Sequence, residues 1–454
     1  MRSVTQSTRP ESTPGGAAQR AFAAELLMKV HEQHRTIDWL ETNEAEKFDH
    51  PFVRALVYGA LRYHFSIHTQ VIHKLKKPLK ARDKVLLYLL YVGTYQLTKL
   101  ETKRHAAIYE TVAACDIVGK GWAKGLVNAI LRKVSTEQDT ERSFELPSWL
   151  EDKLDCAYKT DSAALKQALL ARAPMILRVN QSRVSPADYQ NLLKQADIRF
   201  KTTSLNQALH VDPPVPMRSL PGWASGQVAV QDLGAQWVAQ LLLDQLSQTS
   251  PATAELRLLD ACAAPGGKLF ALLENAEQQG LKVVADALEK QPRRMEVMQQ
   301  FAAQFGHQAN WVIGDASSQD WWSGEPYHAI LMDAPCSGTG TIRRHPDSKI
   351  HLSEDGIAQA ANLQHAMLRN MWHMLAPGGT LLYCTCSILQ EENDAIVADW
   401  LSQTIATDMQ DDVLVKIELP HGQGTDLGWQ MLPTEPLTDG FYLSLLRKPG
   451  RVAR

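Results

Sequence analysis

Several features that would class a 454-residue chain at once are missing from this one. No stretch of about 18 consecutive apolar residues occurs, so no transmembrane helix is expected. Met1 to Gln19 is polar and has no apolar h-region, so a secretory signal is not expected. Cysteine is sparse: six residues, with no Cys-x-x-Cys pair and no spaced Cys/His set. A disulfide framework and a metal site are therefore not expected; free thiols in a reducing, cytoplasmic setting are. Excess charge is also absent. Lys and Arg number 47, Asp and Glu 50, and the net charge is −3. That excludes a globally basic nucleic-acid binder but not a locally basic one.

What is present is an ordinary globular composition, 44% apolar and 21% charged. At roughly 150 residues per domain, the length suggests about three domains. Residues 1–18 are rich in Ser, Thr, Pro and Gly and read as a disordered tail. Residues 19–140 read as an all-α bundle. Ala23, Leu26, Leu27 and Val30 recur at helical spacing, and Phe52–Leu61, Val85–Leu97, Ala106–Val118 and Trp122–Val134 have helical length and apolar faces. Between Pro51 and Arg104, eleven Lys and Arg face two acids, a local charge of +9 inside a chain of −3. Such asymmetry suits nucleic-acid contact as well as a solvated face. Ser135–Glu145 is polar and acidic and marks a boundary.

Residues 145–230 read as a small α+β domain, with strands at Met175–Val179 and Gly226–Val230 and a helix at Ala187–Gln195. From 231 to 450 apolar runs alternate with helical patterns. The runs are Leu256–Leu259, Val283–Leu288, Trp311–Ile313, Ala329–Met332 and Thr380–Tyr383. This rhythm predicts an α/β doubly wound, Rossmann-like parallel sheet with its chemistry at the C-terminal strand ends.

The first of these strands ends in Asp260-Ala261-Cys262-Ala263-Ala264-Pro265-Gly266-Gly267-Lys268 and then enters a helix. Small residues there let backbone approach a ligand at a helix N-terminus. The turn is neither the GxGxxG of dinucleotide binding nor a GxxxxGK[ST] phosphate loop. The second strand ends near Glu289, placed to accept ribose hydroxyls, with Asp286 as the competing acid. The third ends in Gly314-Asp315, where a carboxylate suits an adenine amine. Acid or glycine at three strand ends in series indicates a nucleoside-bearing cofactor. S-adenosylmethionine fits better than a dinucleotide, because nothing cradles a pyrophosphate.

The fourth strand ends in Asp333-Ala334-Pro335-Cys336-Ser337-Gly338-Thr339-Gly340, and the fifth in Tyr383-Cys384-Thr385-Cys386-Ser387. Cys384 lies one step inside its strand and reads as a core residue. A carboxyl and thiols at this edge match the needs of methylating carbon 5 of a pyrimidine. That carbon attacks a sulfonium methyl only after a thiolate has added to carbon 6. Charge driven toward N3 needs a proton or hydrogen bond, which Asp333 is placed to give. This chemistry leaves open whether Cys336 or Cys386 is the nucleophile. Arg343-Arg344-His345 follow, and are expected to form a positive patch for RNA phosphates beside the thiols.

Taken together, these segments resemble the bacterial Fmu/RsmB ribosomal-RNA cytosine-C5 methyltransferases of the wider Nop/Sun group. The likeness runs from about Arg20 to Lys448. It includes Val127-Asn128-Ala129-Ile130-Leu131-Arg132, Leu177-Arg178-Val179-Asn180, Val230-Gln231-Asp232, Arg343-Arg344-His345-Pro346-Asp347, Glu391-Glu392-Asn393 and Asp439-Gly440-Phe441-Tyr442. The resemblance implies a NusB-like RNA-binding fold for the N-terminal domain. It implies S-adenosylmethionine contacts from Cys262, Ala263, Ala264, Pro265, Gly266, Gly267, Lys268, Glu289, Asp315 and Asp333. It makes Cys386 the nucleophile and Cys336 the residue assisting release, with Asp333 and Lys268 lining the base. The implied partner is 16S ribosomal RNA, at cytosine 967 in the usual small-subunit numbering, with no obligate protein partner and no membrane. One departure stands out: the family has Asp at the end of strand two followed by Arg-Leu, whereas here Glu289 is followed by Arg294-Met295. The choice between Glu289 and Asp286 for the ribose stays open. Alternative functions are C5 methylation of a tRNA or another rRNA site, and a non-catalytic NusB-like RNA-binding factor.

Overall fold

The computed structural model describes residues 15–100, 102–134, 145–249, 255–405 and 409–450. It divides into two compact units. One contains residues up to Lys153 together with His345–His351; the other contains Leu154–Arg344 and the chain from Leu352 onward. The predicted tail lies outside the described residues up to residue 14. From Gly16 its last residues already belong to the first helix, Gly16–Gln33. The predicted boundary Ser135–Glu145 lies outside the described residues except for Glu145.

The first unit is all helix. Its long members are Gly16–Gln33, Pro51–Arg62, Val85–Thr98 and Arg104–Ile117, and Lys124–Arg132 follows a short 3-10 turn. Their apolar stripes make one core, in which Leu26, Leu27, Val30, Leu56, Leu89 and Leu131 are fully buried. Proline at the first position and His50 as N-cap start helix Pro51–Arg62. Gly59 lets that helix meet Val85–Thr98: a Cβ there would lie 1.9 Å from the Tyr95 ring. The segment His345–His351 packs into this unit although it lies far along the chain. Lys349 is fully buried, and its Nζ donates to the carbonyls of Arg62 at 2.6 Å and Glu145 at 2.5 Å. Asp347 accepts the Ile37 N–H at 3.0 Å.

The second unit contains two sheets. The smaller has β1 (Met175–Val179), β2 (Phe200–Thr202), β3 (Ala208–Val211) and β4 (Val228–Val230), in the antiparallel order β2-β3-β1-β4. Helix Pro186–Gln195 covers it, capped by Ser185, whose hydroxyl accepts the Asp188 N–H. The larger sheet contains β5 (Glu255–Ala261), β6 (Lys282–Glu289), β7 (Asn310–Ile313), β8 (Tyr327–Asp333), β9 (Leu375–Thr385), β10 (Leu414–Val415), β11 (Gln423–Gly424), β12 (Trp429–Met431) and β13 (Phe441–Arg447). Its order is β11-β12-β13-β9-β8-β5-β6-β7, with β10 also paired to β13. Strands β5 to β9 are parallel to their neighbours, and β13 runs antiparallel to β9.

The sheet is covered on both faces, which explains its nearly continuous apolar strands. Leu256 and Leu258 point into one core; Leu259 and Ala261 point into the other. All five predicted parallel strands are present, slightly longer than their apolar runs. The antiparallel edge was not predicted. Phe441–Arg447 follows β12 without an intervening helix, so the alternation that revealed the other strands stops before it. The chain order reverses between β5 and β8. The crevice where such sheets bind ligands therefore opens beyond their C-terminal ends.

One buried arginine ties the small sheet to this crevice. Arg178 on β1 is 2% exposed; it donates to Gln231 and to the Gly267 carbonyl, each at 2.6 Å, and pairs with Glu274 at 2.9 Å. Gly267 is the first residue of the helix after β5, so the brace acts on the loop that begins the crevice.

In the helical unit, the His31 ring lies 4.5 Å from His64 and stacks on Tyr88 at 5.2 Å. His31 Nε2 and His64 Nδ1 are buried without hydrogen-bond partners. Burial, followed by nearby His351, pushes His31 down to about 4, and burial holds His64 well below its usual value. Between pH 6.5 and 4 the unfolded chain binds protons that the folded unit refuses, so stability falls as pH falls. From pH 7 to 5, His31 alone is expected to contribute a loss of about 1–2 kcal/mol. Thermal unfolding of wild type and His31→Phe at both pH values measures it: the variant should lose less.

Candidate active site

The loop after β5 bends sharply at the sheet edge. Cys262 (φ 71°) and Gly266 (φ 102°) both take left-handed backbone conformations. A Cβ on Gly266 would meet the Phe270 ring at 2.4 Å, so this turn requires glycine. The loop's other predicted cofactor residues, Ala263, Ala264, Pro265 and Gly267, follow the same path. Ala263 N–H donates to the Leu288 carbonyl at 2.9 Å, and Arg294 donates to the Ala264 carbonyl at 2.7 Å. The helix opened by Gly267 carries Lys268 inward on its first turn.

Lys268 Nζ meets Asp333 Oδ2 at 2.6 Å, at the end of β8. Burial would depress this ammonium, but Asp333 and the neighbouring Cys384 and Cys386 outweigh it and raise the pKa. Lys268 is therefore a fixed cation and Asp333 its carboxylate partner. Cys384 is fully buried, and its thiol points to Asp333 Oδ1 at 3.6 Å. Burial, with Asp333, pushes this thiol well up. Cys384 is thus a core residue, as its place inside the strand suggested.

Strands β8 and β9 are adjacent and parallel, so the loops beyond them leave the sheet side by side. They bring Cys336 Sγ and Cys386 Sγ to 3.3 Å, both half-buried. The two thiols differ electrically. Hydrogen bonding with Cys386, then burial, pushes Cys336 well up. Cys386 is held below the usual thiol value, chiefly by the bond from Cys336, against the effects of burial and of the Asp333 carboxylate; Lys268 adds a smaller positive field. Charge on the pair therefore resides on Cys386.

The other cofactor acids occupy neighbouring strand ends. Glu289 is buried at the end of β6; it accepts Gln291 N–H at 2.8 Å and pairs with Arg294 at 3.1 Å. Asp286 lies within β6 and is engaged elsewhere, accepting Tyr327 OH at 2.6 Å and Asn310 at 2.8 Å. Asp315 follows β7. It pairs with Lys290 at 2.6 Å and accepts Ser317, and these partners hold it at about 2.

Asp260, near the end of β5, was not singled out from the sequence. It is 1% exposed, and among the described residues neither carboxyl oxygen has a hydrogen-bond partner. Burial, then Asp333, pushes its pKa well up, against the opposing effect of Lys268. An acid closing an otherwise apolar strand was the available signal. An orphaned carboxyl beneath a glycine cradle, ringed by acids at the next strand ends, fits a small polar cofactor carrying hydrogen-bond donors.

The expected Arg343–Arg344–His345 phosphate patch is corrected by the structure. Arg343 is 3% exposed; it pairs with Asp439 and donates to the Thr438 carbonyl at 2.6 Å. Arg344 pairs with Asp439 and, at 2.8 Å, with Asp232. His345 belongs to the helical unit, where it lies 3.6 Å from Asp38. Both guanidinium groups neutralise internal acids instead of facing solvent. In the helical unit's basic segment, Lys76, Lys77, Lys80 and Arg82 are exposed, whereas Arg54 pairs with Glu41 and Lys84 with Glu32. Among the described residues, no group of three or more His, Cys, Asp or Glu is placed to hold a metal, and no helix is long and apolar enough to cross a membrane.

A parallel sheet with an antiparallel edge, a glycine turn after its first strand and acids at the following strand ends defines an S-adenosylmethionine-dependent methyltransferase. The sequence profile described as 16S rRNA methyltransferase RsmB/F matches residues 248–447. The NusB family profile matches 17–136, and that of the RsmF/B-like ferredoxin-like domain matches 146–218. The ribosomal RNA small subunit methyltransferase B of Xanthomonas campestris pv. campestris is 36% identical over 96% of this chain and 99% of its own. That of Shewanella oneidensis is 36% identical over 94% and 99%. Two solved structures share the fold. PH0851 has TM-score 0.80 and 19% identity over 97% of this chain and all of its own. A methyltransferase homolog protein from Pyrococcus horikoshii has TM-score 0.56 and 22% identity over 66% and 95%. The chain belongs to the ribosomal RNA small subunit methyltransferase B family.

The electrical asymmetry of the thiols is testable without substrate. Iodoacetamide should alkylate Cys386 with a half-maximal rate at a pH below the ordinary thiol value of about 8.5. Lys268→Met should move that midpoint upward. An unchanged midpoint would show that the lysine's field does not reach the sulfur.

Proposed function

We propose that this enzyme methylates carbon 5 of a cytosine in 16S rRNA through a transient thioether between Cys386 and carbon 6 of the base. The observation that carries this reading is the 3.3 Å thiol pair, with the Lys268–Asp333 ion pair on the side of Cys386. The Cys262–Lys268 loop, Glu289, Asp315 and Asp333 would hold the cofactor, with Glu289 taking the ribose because it closes β6 at the crevice, whereas Asp286 lies within the strand. When bound, S-adenosylmethionine supplies an electrophilic methyl group on sulfur.

Cys386 is the nucleophile because the negative charge of the pair lies there. Its sulfur forms a bond to carbon 6, and the ring's π electrons shift toward carbon 5 and N3. Lys268 is a fixed cation that can donate to N3, while Asp333 can accept from the exocyclic amine. These groups stabilise charge that develops only after addition. Carbon 5 then takes the methyl and carries both methyl and hydrogen. Cys336, having released its own proton to solvent after Cys386 became a thioether, removes the proton on carbon 5, the electron pair re-forms the ring double bond, and the Cys386 thiolate leaves.

The proton removal follows from the same geometry. The leading cause of the raised Cys336 pKa is its hydrogen bond with Cys386. Once Cys386 is a thioether it no longer holds the pair's negative charge, and Cys336 becomes the easier thiol to ionise. The two sulfurs thus hand over the basic role as the adduct forms. The target base must leave its stack to reach them.

Cys386→Ala should abolish methylation. Cys336→Ala should leave a protein–RNA adduct that survives a denaturing gel. The reverse pattern would exchange the two roles, and full activity without adduct in both variants would end the mechanism. Bisulfite sequencing of rRNA and tRNA from a deletion strain should show one 16S cytosine losing protection. A lost tRNA signal instead would move the substrate to tRNA.

A further inference from the structure

A carboxylate behind the two thiols is bonded to both of their loops. Glu392 closes the short turn Gln390–Glu392 after β9 and is 0% exposed. Its Oε1 accepts the Ser337 N–H at 2.7 Å and Gln364 Nε2 at 3.3 Å. Its Oε2 accepts the hydroxyls of Ser337 at 2.5 Å and Ser387 at 2.6 Å. Ser337 follows Cys336, and Ser387 follows Cys386. The glutamate backbone is itself held, since its carbonyl accepts Tyr383 OH at 2.6 Å.

This arrangement is unusual for a merely structural acid. Glu392 makes no ion pair with Lys or Arg among the described residues; its four bonds come from uncharged donors, three of them on the residues that follow the two cysteines. Hydrogen bonds to an ionised acceptor are shorter and stronger than neutral ones, and a buried carboxylate needs them all. Backbone pairs the loops only briefly beyond the strands, through Ala334 N–H to the Cys384 carbonyl and Gly340 N–H to the Cys386 carbonyl, each at 2.9 Å, and Thr339 Oγ1 adds bonds to the Ser387 hydroxyl and the Ile388 N–H, each at 3.1 Å. Between those two backbone bonds, side chains join the loops, and the Glu392 carboxylate is the charged acceptor shared by the residues that follow both cysteines.

We infer that Glu392 is the positioning residue that holds the two thiol-bearing loops in mutual register through Ser337 and Ser387. It touches neither reacting thiol. The inference rests on reading Cys336 and Cys386 as the working pair, but its first test needs neither RNA nor cofactor. Diamide takes the two thiol hydrogens and is reduced to the hydrazine form while one S–S bond joins Cys336 to Cys386. The rate of that closure reports how well the loops hold the sulfurs together.

In Glu392→Ala, closure by diamide should slow at least about tenfold, read by mass spectrometry of the joined peptides. Methylation kcat should fall about 10²-fold, the scale of an ångström-level misplacement, with KM for S-adenosylmethionine unchanged. Glu392→Gln keeps an oxygen for the Ser337 N–H, and its amide can donate to the serine hydroxyls once they turn. It should restore closure and kcat to within several-fold. If Glu392→Ala does not fold, Ser387→Ala removes one tether under an intact carboxylate and should slow closure several-fold. A folded Glu392→Ala, or in its place Ser387→Ala, that closes at the wild-type rate overturns the inference. Closure that depends on Glu392 in an enzyme that forms no RNA adduct would uphold the positioning role and overturn the proposed reaction instead.

Discussion

Two sulfur atoms 3.3 Å apart cannot both be ionised at neutral pH. Two unit charges at that separation repel by about 5 kcal/mol even at an effective dielectric constant near 20. One thiol must keep its proton, and the surroundings decide which. The hydrogen bond from Cys336 places the charge on Cys386, helped by Lys268 and opposed by the Asp333 carboxylate that pins the lysine. The architecture follows from that requirement. Parallel neighbours β8 and β9 deliver one sulfur each, and the turn after β5 delivers the lysine across the crevice. A single strand end could not supply all three groups, because successive side chains point to opposite faces.

The edge of the sheet is unusually rich in buried charge, and most of it is load-sharing between segments distant in sequence. Arg178 joins the small sheet to the first turn of the cofactor helix. Arg343 and Arg344 converge on Asp439, and Arg344 also reaches Asp232. Removing one partner of such a pair typically costs about 3–5 kcal/mol, because the other stays buried and uncompensated. Asp260 differs: it is buried beside the glycine turn after β5, and among the described residues neither of its carboxyl oxygens has a hydrogen-bond partner.

The parallel strands and most helices were legible because burial on two faces or on one stripe leaves a periodic trace in the sequence. Met175–Val179 was read with both of its ends, and Val85–Leu97 to within one residue. The strand-end residues were legible for a related reason: a loop at a crevice carries glycine, acid or thiol just where an apolar run stops. Pairing was not legible. Arg343 and Arg344 look like a solvated basic run until their acids, Asp439 and Asp232, are seen beside them, roughly a hundred residues away on either side. Glu392 was part of a recognisable motif, but its work depends on Ser337, which no local pattern connects to it. The partners of Asp286, Tyr327 and Asn310, were likewise invisible in its own segment, since neighbouring strands supply them.

Gly340 and Gly440 touch backbone to backbone: a Cβ on Gly340 would lie 2.4 Å from the Gly440 carbonyl oxygen, and Gly440 N–H donates to Gly340 at 2.9 Å. Gly340 in turn donates to the Cys386 carbonyl. The final strand of the sheet thus backs the loop that bears Cys336, through a contact with no room for any side chain. A nascent polypeptide that has not yet reached Gly440 already contains every sulfur, acid and lysine of the crevice, and still lacks the strut against which they are set. The strut beside the crevice thus comes from the last strand of the sheet to leave the ribosome.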